Sequence, residues 1–166
     1  MPILVRPFAI TDVAALAAIA NNKHVSDNLR NSFPHPYTIS DAKQWIQLQS
    51  KIKPTQNFAI TYNGLLAGTI GCTLKEDIHK KNIELGYFIG EIFWNKGIAS
   101  KAVSLMLAYL EQNFQATRIY AEVFENNIAS MKVLQKNNFF LEAIHHKSLF
   151  KHNQYFDAYI WVKPLS

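Results

Sequence analysis

The stretch Phe93-Trp94-Asn95-Lys96-Gly97-Ile98-Ala99-Ser100 follows an apolar, strand-like segment, residues 83–89, and precedes a strongly helical one from Ser100 to Phe114. This order predicts a strand that passes through a short loop into a helix, with small residues at the turn. The amino terminus of a helix has backbone N–H groups without intrahelical partners and the positive end of the helix dipole. Such a terminus suits a phosphate, and the lysine of the stretch adds a positive charge beside it. The loop is therefore a candidate anion site.

Length and composition describe a globular chain. The 166 residues are 49% apolar and 17% charged, which predicts one domain, residues 1–166, with a sizeable core. A single cysteine, Cys72, excludes an internal disulfide framework and favours a reducing compartment, so the expected location is cytoplasmic. No apolar run approaches the roughly 18 residues that cross a bilayer, and the first residues lack a signal-peptide layout, so no membrane contact is expected.

The formal net charge of +5 favours anionic partners. The basic residues are scattered, apart from Lys80-Lys81, so the basic stripe typical of nucleic-acid binding is not evident and no nucleic-acid partner is predicted. A small molecule that bears phosphate explains the charge equally well.

Patterning and turn residues predict the order of the elements. Asn63-Gly64 between two apolar runs is the strongest signal for a two-residue β-hairpin turn. Lys75 to Lys81 reads as a solvated, charged turn, and Asn137 or Asn138 can end a helix in the left-handed conformation. The predicted strands are 3–8, 58–62, 65–71, 82–89, 117–124, 139–146 and 155–162. The predicted helices are 13–20 (capped by Thr11 or Asp12), 24–29, a helix from Thr38 or Ser40 to about 52, 100–114, and a helix capped by Asn126 or Asn127 that runs to about 136.

This alternation indicates an α/β fold with a mixed sheet covered on both faces. All six glycines lie between Gly64 and Gly97, and for Gly68 and Gly71 we expect tight sheet packing rather than ligand contact.

The sequence lacks the residue patterns that several kinds of metal, nucleophilic and nucleotide-binding sites require. The sequence has no His-Glu-x-x-His motif, no paired cysteines and no cluster of histidine and acidic residues, so no metal site is predicted. It has no Gly-x-Ser-x-Gly elbow, and the loop is neither a Walker sequence nor a Gly-x-Gly-x-x-Gly fingerprint.

A family resemblance rests on several segments in the same order. Residues 84–90, followed by Trp94 to Ala102, resemble the acetyl-CoA segment of the GNAT acetyltransferases, most closely the RimJ/RimL type, whose members acetylate ribosomal-protein N-termini and other amines. Asn127 to Phe139 resembles the second motif of the family, and Phe33 to Trp45 its N-terminal region. The resemblance implies a GNAT-like mixed, mostly antiparallel central sheet of about seven strands, with helices on both faces and a splayed strand pair.

The resemblance also implies a site for acetyl-CoA. The backbone of Phe88 and Ile89 would pair with pantetheine, Asn127 would hydrogen-bond the pantetheine arm, and Ser130 would lie close to the thioester sulfur. The pyrophosphate would be held by the backbone of the loop, namely Trp94, Asn95, Lys96, Gly97, Ile98, Ala99 and Ser100.

Three positions depart from the family pattern. Trp94 stands where Gln or Arg is usual, and Asn138 replaces a glycine, which asparagine tolerates because it also adopts positive φ. Leu134 occupies the position of a tyrosine that protonates the leaving thiolate in many relatives, so Ser130 is the remaining candidate donor.

For each of the remaining candidate site residues, two interpretations remain open. Glu84 is the candidate general base or an outward-facing solvated side chain, and Ser130 is the acid or a structural hydroxyl. Asn127 is a cofactor ligand or only a helix cap. Phe33 and Tyr37 either form one wall of an acceptor site, to which Glu84 also belongs, or fill the edge of the core. If they form that wall, the C-terminal hairpin would form another wall of the acceptor site.

The predicted function is transfer of an acetyl group from acetyl-CoA to a primary amine of a peptide N-terminus or small molecule. The alternative is an acyl-CoA-binding regulatory module without turnover, and a weaker one is a basic nucleotide- or RNA-binding domain. The sequence leaves the acceptor open, and also the oligomeric state, including a homodimer.

Overall fold

The computed structural model describes residues 2–166, which contain seven strands and five α-helices. The strands are β1 (Ile3–Pro7), β2 (Asn57–Tyr62), β3 (Leu65–Leu74), β4 (Asn82–Ile89), β5 (Arg118–Phe124), β6 (Phe140–Lys151) and β7 (Gln154–Pro164). The helices are α1 (Val13–Ala20), α2 (Lys23–Ser26), α3 (Ile39–Gln49), α4 (Ile98–Asn113) and α5 (Ile128–Lys136). Short 3₁₀ turns cover Ile10–Asp12, Asp77–His79 and Glu91–Phe93.

The seven strands form one mixed sheet in the order β1-β2-β3-β4-β5-β7-β6. Strand β4 runs parallel to β5, and the pairings β1–β2, β2–β3, β5–β7 and β6–β7 are antiparallel. This architecture confirms the predicted α/β fold class.

The chain forms two compact units. The first comprises the described part of Met1–Gly71 together with Tyr87–Met106, and the second comprises Cys72–Gly86 and Leu107–Ser166. Strands β3 and β4 and helix α4 each contribute residues to both units. The expectation of one domain over residues 1–166 stays a prediction.

The first unit has a core formed by α1, α3 and the antiparallel strands. Eight buried side chains make up this core: Leu16, Ala17, Ala20, Tyr37, Ala42, Ile46, Ala59 and Leu66. Helix α3 begins at a capping box in which the Thr38 hydroxyl accepts the N–H of Asp41, at 3.1 Å, and the Asp41 carboxylate accepts the N–H of Thr38, at 2.8 Å. Thr38 is therefore the cap of this helix, one of the two residues predicted.

The predicted turn Asn63-Gly64 joins β2 and β3. Both residues have positive φ, 52° and 79°, and Tyr62 pairs with Leu65 across the turn. Positive φ at both central residues is what a type I′ hairpin requires, so this prediction is confirmed.

The second unit contains the antiparallel strands β5, β7 and β6. Ala158, Ile160 and Val162 of β7 form a buried cluster against which Tyr120, Ala143 and Leu149 pack. Asn138, with φ of 64°, follows α5 in the left-handed conformation, as expected for one of the two asparagines there. Strands β6 and β7 meet at a turn of His152 and Asn153, and Lys151 pairs with Gln154.

Some predicted boundaries are wrong. The helices predicted over 24–29 and to about residue 52 end at Ser26 and Gln49, and α4 begins at Ile98 instead of Ser100. Strand β6, predicted to end at 146, continues to Lys151 through an irregularity between His145 and Leu149. The polar run His145-His146-Lys147-Ser148 hides this continuation because it breaks the alternation on which strand prediction depends.

The beginning of α1 also differs from the expectation. Asp12 precedes the helix, but its side chain makes no capping bond to it. The Asp12 carboxylate instead accepts the N–H of Ala9, at 2.8 Å, and forms a two-pronged ion pair with Arg6. The carboxylate therefore closes the preceding 3₁₀ turn and links it to β1.

Candidate functional site

The loop between β4 and α4 has two residues in the left-handed conformation. Asn95 has φ of 61° and Gly97 has φ of 72°, and helix α4 begins directly after Gly97. Ile98, Ala99 and Ser100, which were predicted to belong to the loop, form the first turn of the helix. The backbone N–H groups of a first turn have no acceptor within their own helix and point along its axis. The predicted anion site is thus the amino terminus of a helix of 16 residues.

Two buried side chains and two side-chain hydrogen bonds fix this loop. Phe93 and Ile98, on either side of it, are 8% and 2% exposed. The indole Nε1 of Trp94 donates to the carbonyl oxygen of Ile89 at 2.8 Å. Lys96 is exposed, and its Nζ donates to the carbonyl oxygen of Ile92 at 3.3 Å. The loop therefore has a defined shape.

Glu91 ties the same segment to the connection between α1 and α2. Its Oε2 accepts Nδ2 of Asn22 at 2.6 Å, and its Oε1 lies 3.0 Å from Nδ1 of His24. The hydrogen bonds from Asn22 and then from His24 lower the pKa of Glu91. Because these partners are 69 and 67 residues away, no local pattern in the sequence predicts the contact.

Strand β3 packs closely on β4 at Gly68 and on β2 at Gly71. A Cβ added at Gly68 would lie 2.2 Å from the carbonyl oxygen of Phe88, and one added at Gly71 would lie 1.8 Å from Oδ1 of Asn57. The N–H of Gly90 donates to the carbonyl oxygen of Ala67 at 2.8 Å. The expectation that Gly68 and Gly71 permit tight packing is confirmed.

Phe33, Tyr37 and Phe88 form an aromatic cluster in the first unit. The Phe33 and Tyr37 rings stack with centroids 5.0 Å apart, and Phe33 meets Phe88 edge-on at 5.5 Å. Tyr37 is 7% exposed, and burial, followed by the charge of Asp41, raises its pKa to about 12. Tyr37 thus fills the core, whereas Phe33 is only half-buried. Their contribution to an acceptor wall stays a prediction.

Glu84 lies in the second unit, at the end of the parallel pairing of β4 with β5. This pairing runs from Asn82 with Arg118 to Glu84 with Tyr120. Oε2 of Glu84 is 3.3 Å from Nζ of Lys75 and 3.3 Å from the hydroxyl of Tyr120. The Glu84 side chain is 14% exposed, so it is not the solvated side chain of the alternative interpretation. Its role as a base stays a prediction.

Lys75 and Tyr120 are functional candidates that sequence reasoning missed. The ammonium of Lys75 lies 5.7 Å from the centre of the Tyr120 ring, and the guanidinium of Arg118 lies 5.0 Å from it. Arg118 also binds Asn82 and forms an ion pair with Glu142. Residues 76–81 of the predicted charged turn are exposed, as expected, but Lys75 at its start is only 29% exposed because it turns back to Glu84.

Asn127 and Ser130 lie at the amino terminus of α5. Oδ1 of Asn127 accepts the backbone N–H of Ser130 at 3.3 Å, so Asn127 caps this helix. Leu134, at the position of the absent tyrosine, is fully buried. The cap is established by this geometry, while the cofactor roles of Asn127 and Ser130 stay predictions.

Asp157 organises the irregular part of β6. Its carboxylate accepts the N–H of Lys147 at 2.8 Å and lies 3.0 Å from Nδ1 of His146, and its own N–H donates to Glu125. These contacts, led by the Lys147 N–H and then by His146, lower the pKa of Asp157. Lys147 has φ of 52°, so the carboxylate stabilises a bend that the sequence did not reveal.

Neither a metal cluster nor a membrane span is found between residues 2 and 166. No three His, Cys, Asp or Glu side chains in this range are grouped to hold a metal ion. None of the helices described there is long and apolar enough to cross a membrane.

Comparison with solved structures defines the class of fold. A GNAT-family acetyltransferase from Bacillus anthracis superposes with a TM-score of 0.83 at 22% identity, over 99% of this chain and 95% of the other. RimJ of Mycobacterium smegmatis, solved with CoA-disulfide, superposes with a TM-score of 0.85 at 19% identity, over 98% of this chain and 81% of the other. The fold is that of the GNAT acetyltransferases.

Sequence comparison shows the family. The Acetyltransferase (GNAT) domain matches residues 3–139, so the chain belongs to the GNAT family. The uncharacterized N-acetyltransferase YoaA of Bacillus subtilis strain 168 is 32% identical over 101 residues, which are 60% of this chain and 56% of that protein. The chain spans about half the length of this relative and at most 64% of four further curated relatives.

Proposed function

We propose that the protein is an N-acetyltransferase that moves the acetyl group of acetyl-CoA to a primary amine. Family membership supports this class of reaction. The observation that carries the proposal is the loop before α4, where left-handed Asn95 and Gly97 lead into the amino terminus of a long helix.

The donors of this loop fit a pyrophosphate. The backbone N–H groups of a helix amino terminus and the helix dipole together attract anionic oxygens. Apart from its chain neighbours, Gly97 has no atom within 4 Å of the position that a Cβ would occupy, so a bulky anion can approach its backbone. Lys96, which is exposed, adds a full positive charge. We therefore assign the diphosphate of acetyl-CoA to Trp94–Ser100.

The remaining cofactor contacts are proposed from the family resemblance. The backbone of Phe88 and Ile89 at the end of β4 would pair with pantetheine. The side chain of Asn127 would hydrogen-bond the same arm, and the hydroxyl of Ser130 would donate to the thioester sulfur.

Glu84 is proposed as the general base. The amine nitrogen attacks the thioester carbonyl carbon, the carbon–sulfur bond breaks, and the thiolate leaves as CoA. Glu84, directly or through water, takes the proton that the amine loses and releases it to solvent, and Ser130 supplies a proton to the thiolate and regains one from water. A positioned base contributes about 10²–10⁴-fold. Positioning of the two substrates supplies a further part of the rate.

A peptide α-amine is the proposed acceptor, as in the RimJ/RimL type. The support is the resemblance of Phe33 to Trp45 to the N-terminal region of that branch. Phe33, which is half-buried, would contact the residues that follow the amine.

A cytoplasmic location is proposed on the single, buried and unpaired Cys72, which is compatible with a reducing compartment.

Two measurements test the proposal and separate it from an acyl-CoA-binding module without turnover. Acetyl-CoA at one hundred times its Kd should raise the free energy of unfolding by about 2.7 kcal/mol, which thermal denaturation detects. Release of CoA thiol is then measured with a panel of N-terminal peptides and small amines. Stabilisation with thiol release supports the enzyme. Stabilisation without release of CoA thiol in the presence of any amine supports the binding module instead. The absence of stabilisation by acetyl-CoA contradicts both the enzyme and the binding module.

A further inference from the structure

Lys75 and Glu84 form an ion pair that is largely withdrawn from water. Nζ of Lys75 lies 3.3 Å from Oε2 of Glu84, and the side chains are 29% and 14% exposed. An ion pair at this depth is screened less than a pair on the surface. The proposed base therefore has its own cation beside it.

Tyr120 holds this pair in place. Its hydroxyl donates to the same oxygen of Glu84, at 3.3 Å, and its ring lies under the Lys75 ammonium at 5.7 Å. The guanidinium of Arg118, 5.0 Å from the ring, holds the tyrosine and is itself bound to Glu142. Two cations, Lys75 and Arg118, thus flank the Tyr120 ring, and each is paired with a carboxylate of its own, Glu84 and Glu142 respectively.

We propose that Lys75 determines acceptor specificity: by compensating the charge of Glu84, it directs the enzyme to peptide α-amines and against polycationic amines. The proposal rests on the proposed function, since it needs Glu84 beside the acceptor. A lone carboxylate attracts a cationic acceptor, whereas a carboxylate already paired with an ammonium carries no net charge to attract it.

The different protonation of peptide α-amines and of the alkylamines of a polycation also favours the α-amine as substrate. An α-amino group has a pKa of about 7.7–8.0 and an alkylamine one of about 10.4, so at pH 8 roughly half of the first but about one in 250 of the second is neutral. A site without net charge does not concentrate the protonated form. The neutral α-amine, which is the nucleophile, is then the better substrate.

Lys75 stays charged under these conditions. Burial alone lowers its pKa, but the hydrogen bond with Tyr120 and the charge of Glu84 outweigh burial and raise the pKa above the ordinary value. The formal net charge of +5 for the whole chain further disfavours a polycation.

The test compares two acceptors at pH 8 with the full chain and saturating acetyl-CoA. One acceptor is a peptide with a free α-amine and no lysine, and the other is spermidine. The readout is the ratio of kcat/KM for the peptide to kcat/KM for spermidine. Lys75→Met, which keeps the length of the side chain over Tyr120, should lower this ratio by about fivefold or more, mainly through a lower KM for spermidine.

Two variants provide matched controls. Lys75→Arg keeps the charge and should retain the wild-type ratio. Lys80→Met removes one charge from an exposed position five residues away and should also retain it. If Lys75→Met does not fold, as judged by its thermal transition, Lys75→Gln replaces it.

The outcomes separate this inference from the proposed function. A ratio that is unchanged in Lys75→Met, or that falls equally in Lys80→Met, overturns the role of Lys75 while wild-type turnover still supports the enzyme. Wild-type protein that acetylates neither acceptor, nor any amine of the panel, overturns the proposed function and with it this inference.

Discussion

Asp12 shows how a single carboxylate can connect two elements. It is 7% exposed, and its carboxylate accepts hydrogen bonds from Nη1 and Nη2 of Arg6, both at 2.8 Å, and from the N–H of Ala9. The hydrogen bond from Arg6 leads the effects that lower the pKa of Asp12, against burial, which raises it. The ionised form is therefore the one that stabilises the folded chain.

We expect Asp12→Asn to lower the free energy of unfolding by about 1–3 kcal/mol at pH 7, because charged hydrogen bonds of a buried group are lost. The folded-state pKa is lowered, so this contribution is present above the unfolded value of about 3.9 and is lost as pH falls through the folded value. Urea unfolding at pH 7, 5 and 3 should show the difference from wild type shrinking toward pH 3. An equal difference at pH 3 and pH 7 would contradict this account.

A surface carboxylate provides the control for this prediction. Asp27→Asn removes an ion pair with Lys23 whose side chains are 31% and 67% exposed. Such a pair contributes about 0–1 kcal/mol, so its loss should be smaller than that of Asp12.

Glu84→Gln tests the proposed base. The amide keeps the shape of the side chain but does not accept the proton of the amine, so kcat should fall by about 10²–10⁴-fold. The Kd of acetyl-CoA should change little, because the proposed diphosphate site lies in another segment, Trp94–Ser100. Rates come from thiol release and Kd from titration calorimetry, with Glu111→Gln on the exposed side of α4 as the control. Unchanged turnover would eliminate Glu84 as the base.

At the scale of the element, the loop before α4 depends on backbone conformation. Gly97 has φ of 72° and open space around its Cβ position, so any effect of a substitution there comes from the backbone alone. Gly86 on β4 also has open space, but it does not have a left-handed φ. The two glycines therefore form a matched pair.

We expect Gly97→Ala to lower the free energy of unfolding by about 1–2 kcal/mol, because a side chain disfavours the left-handed conformation. The affinity for acetyl-CoA should fall as well, since the loop would move away from the geometry that offers its N–H groups. Urea unfolding and calorimetric titration measure the two effects. Gly86→Ala should leave the free energy of unfolding within about 0.5 kcal/mol of wild type, and the prediction fails if both variants are equally stable.

At the scale of the whole molecule, the two compact units share continuous elements. Residues of β3, β4 and α4 belong to both. Trp45 lies in the first unit, edge-on to Phe8 at 5.0 Å, and Trp161 lies buried in the second. Each unit thus contains its own fluorescent reporter.

We expect a single cooperative unfolding transition, because shared strands and a shared helix couple the two units along the chain. Two single-tryptophan proteins test this: Trp94→Phe with Trp161→Phe leaves Trp45, and Trp94→Phe with Trp45→Phe leaves Trp161. In each protein, the fluorescence transition in urea should coincide with the far-UV circular dichroism transition. Separate transitions in either protein would show that residues 1–166 do not behave as one domain.

The sequence by itself determined the features that depend on neighbouring residues. The order of strands and helices and the Asn63-Gly64 hairpin follow from local conformational preferences and short-range hydrogen bonds. The same preferences limited the cap of α3 to Thr38 or Ser40 and the left-handed residue after α5 to Asn137 or Asn138, and the structure selects Thr38 and Asn138. The loop before α4, the proposed anion site, is local too, although its helix begins two residues earlier than the pattern indicated.

Only the tertiary structure decided what surrounds these features. Strand register places Tyr120 beside Glu84 from 36 residues away, and the turn after β3 brings Lys75 back to the same oxygen. Glu91 likewise meets Asn22 across 69 residues. Such contacts depend on the pairing of distant strands and the packing of helices, for which local periodicity gives no register. The sequence therefore predicted the loop before α4 and indicated Glu84 as the candidate base. Only the fold showed that Lys75 and Tyr120 lie against the Glu84 carboxylate.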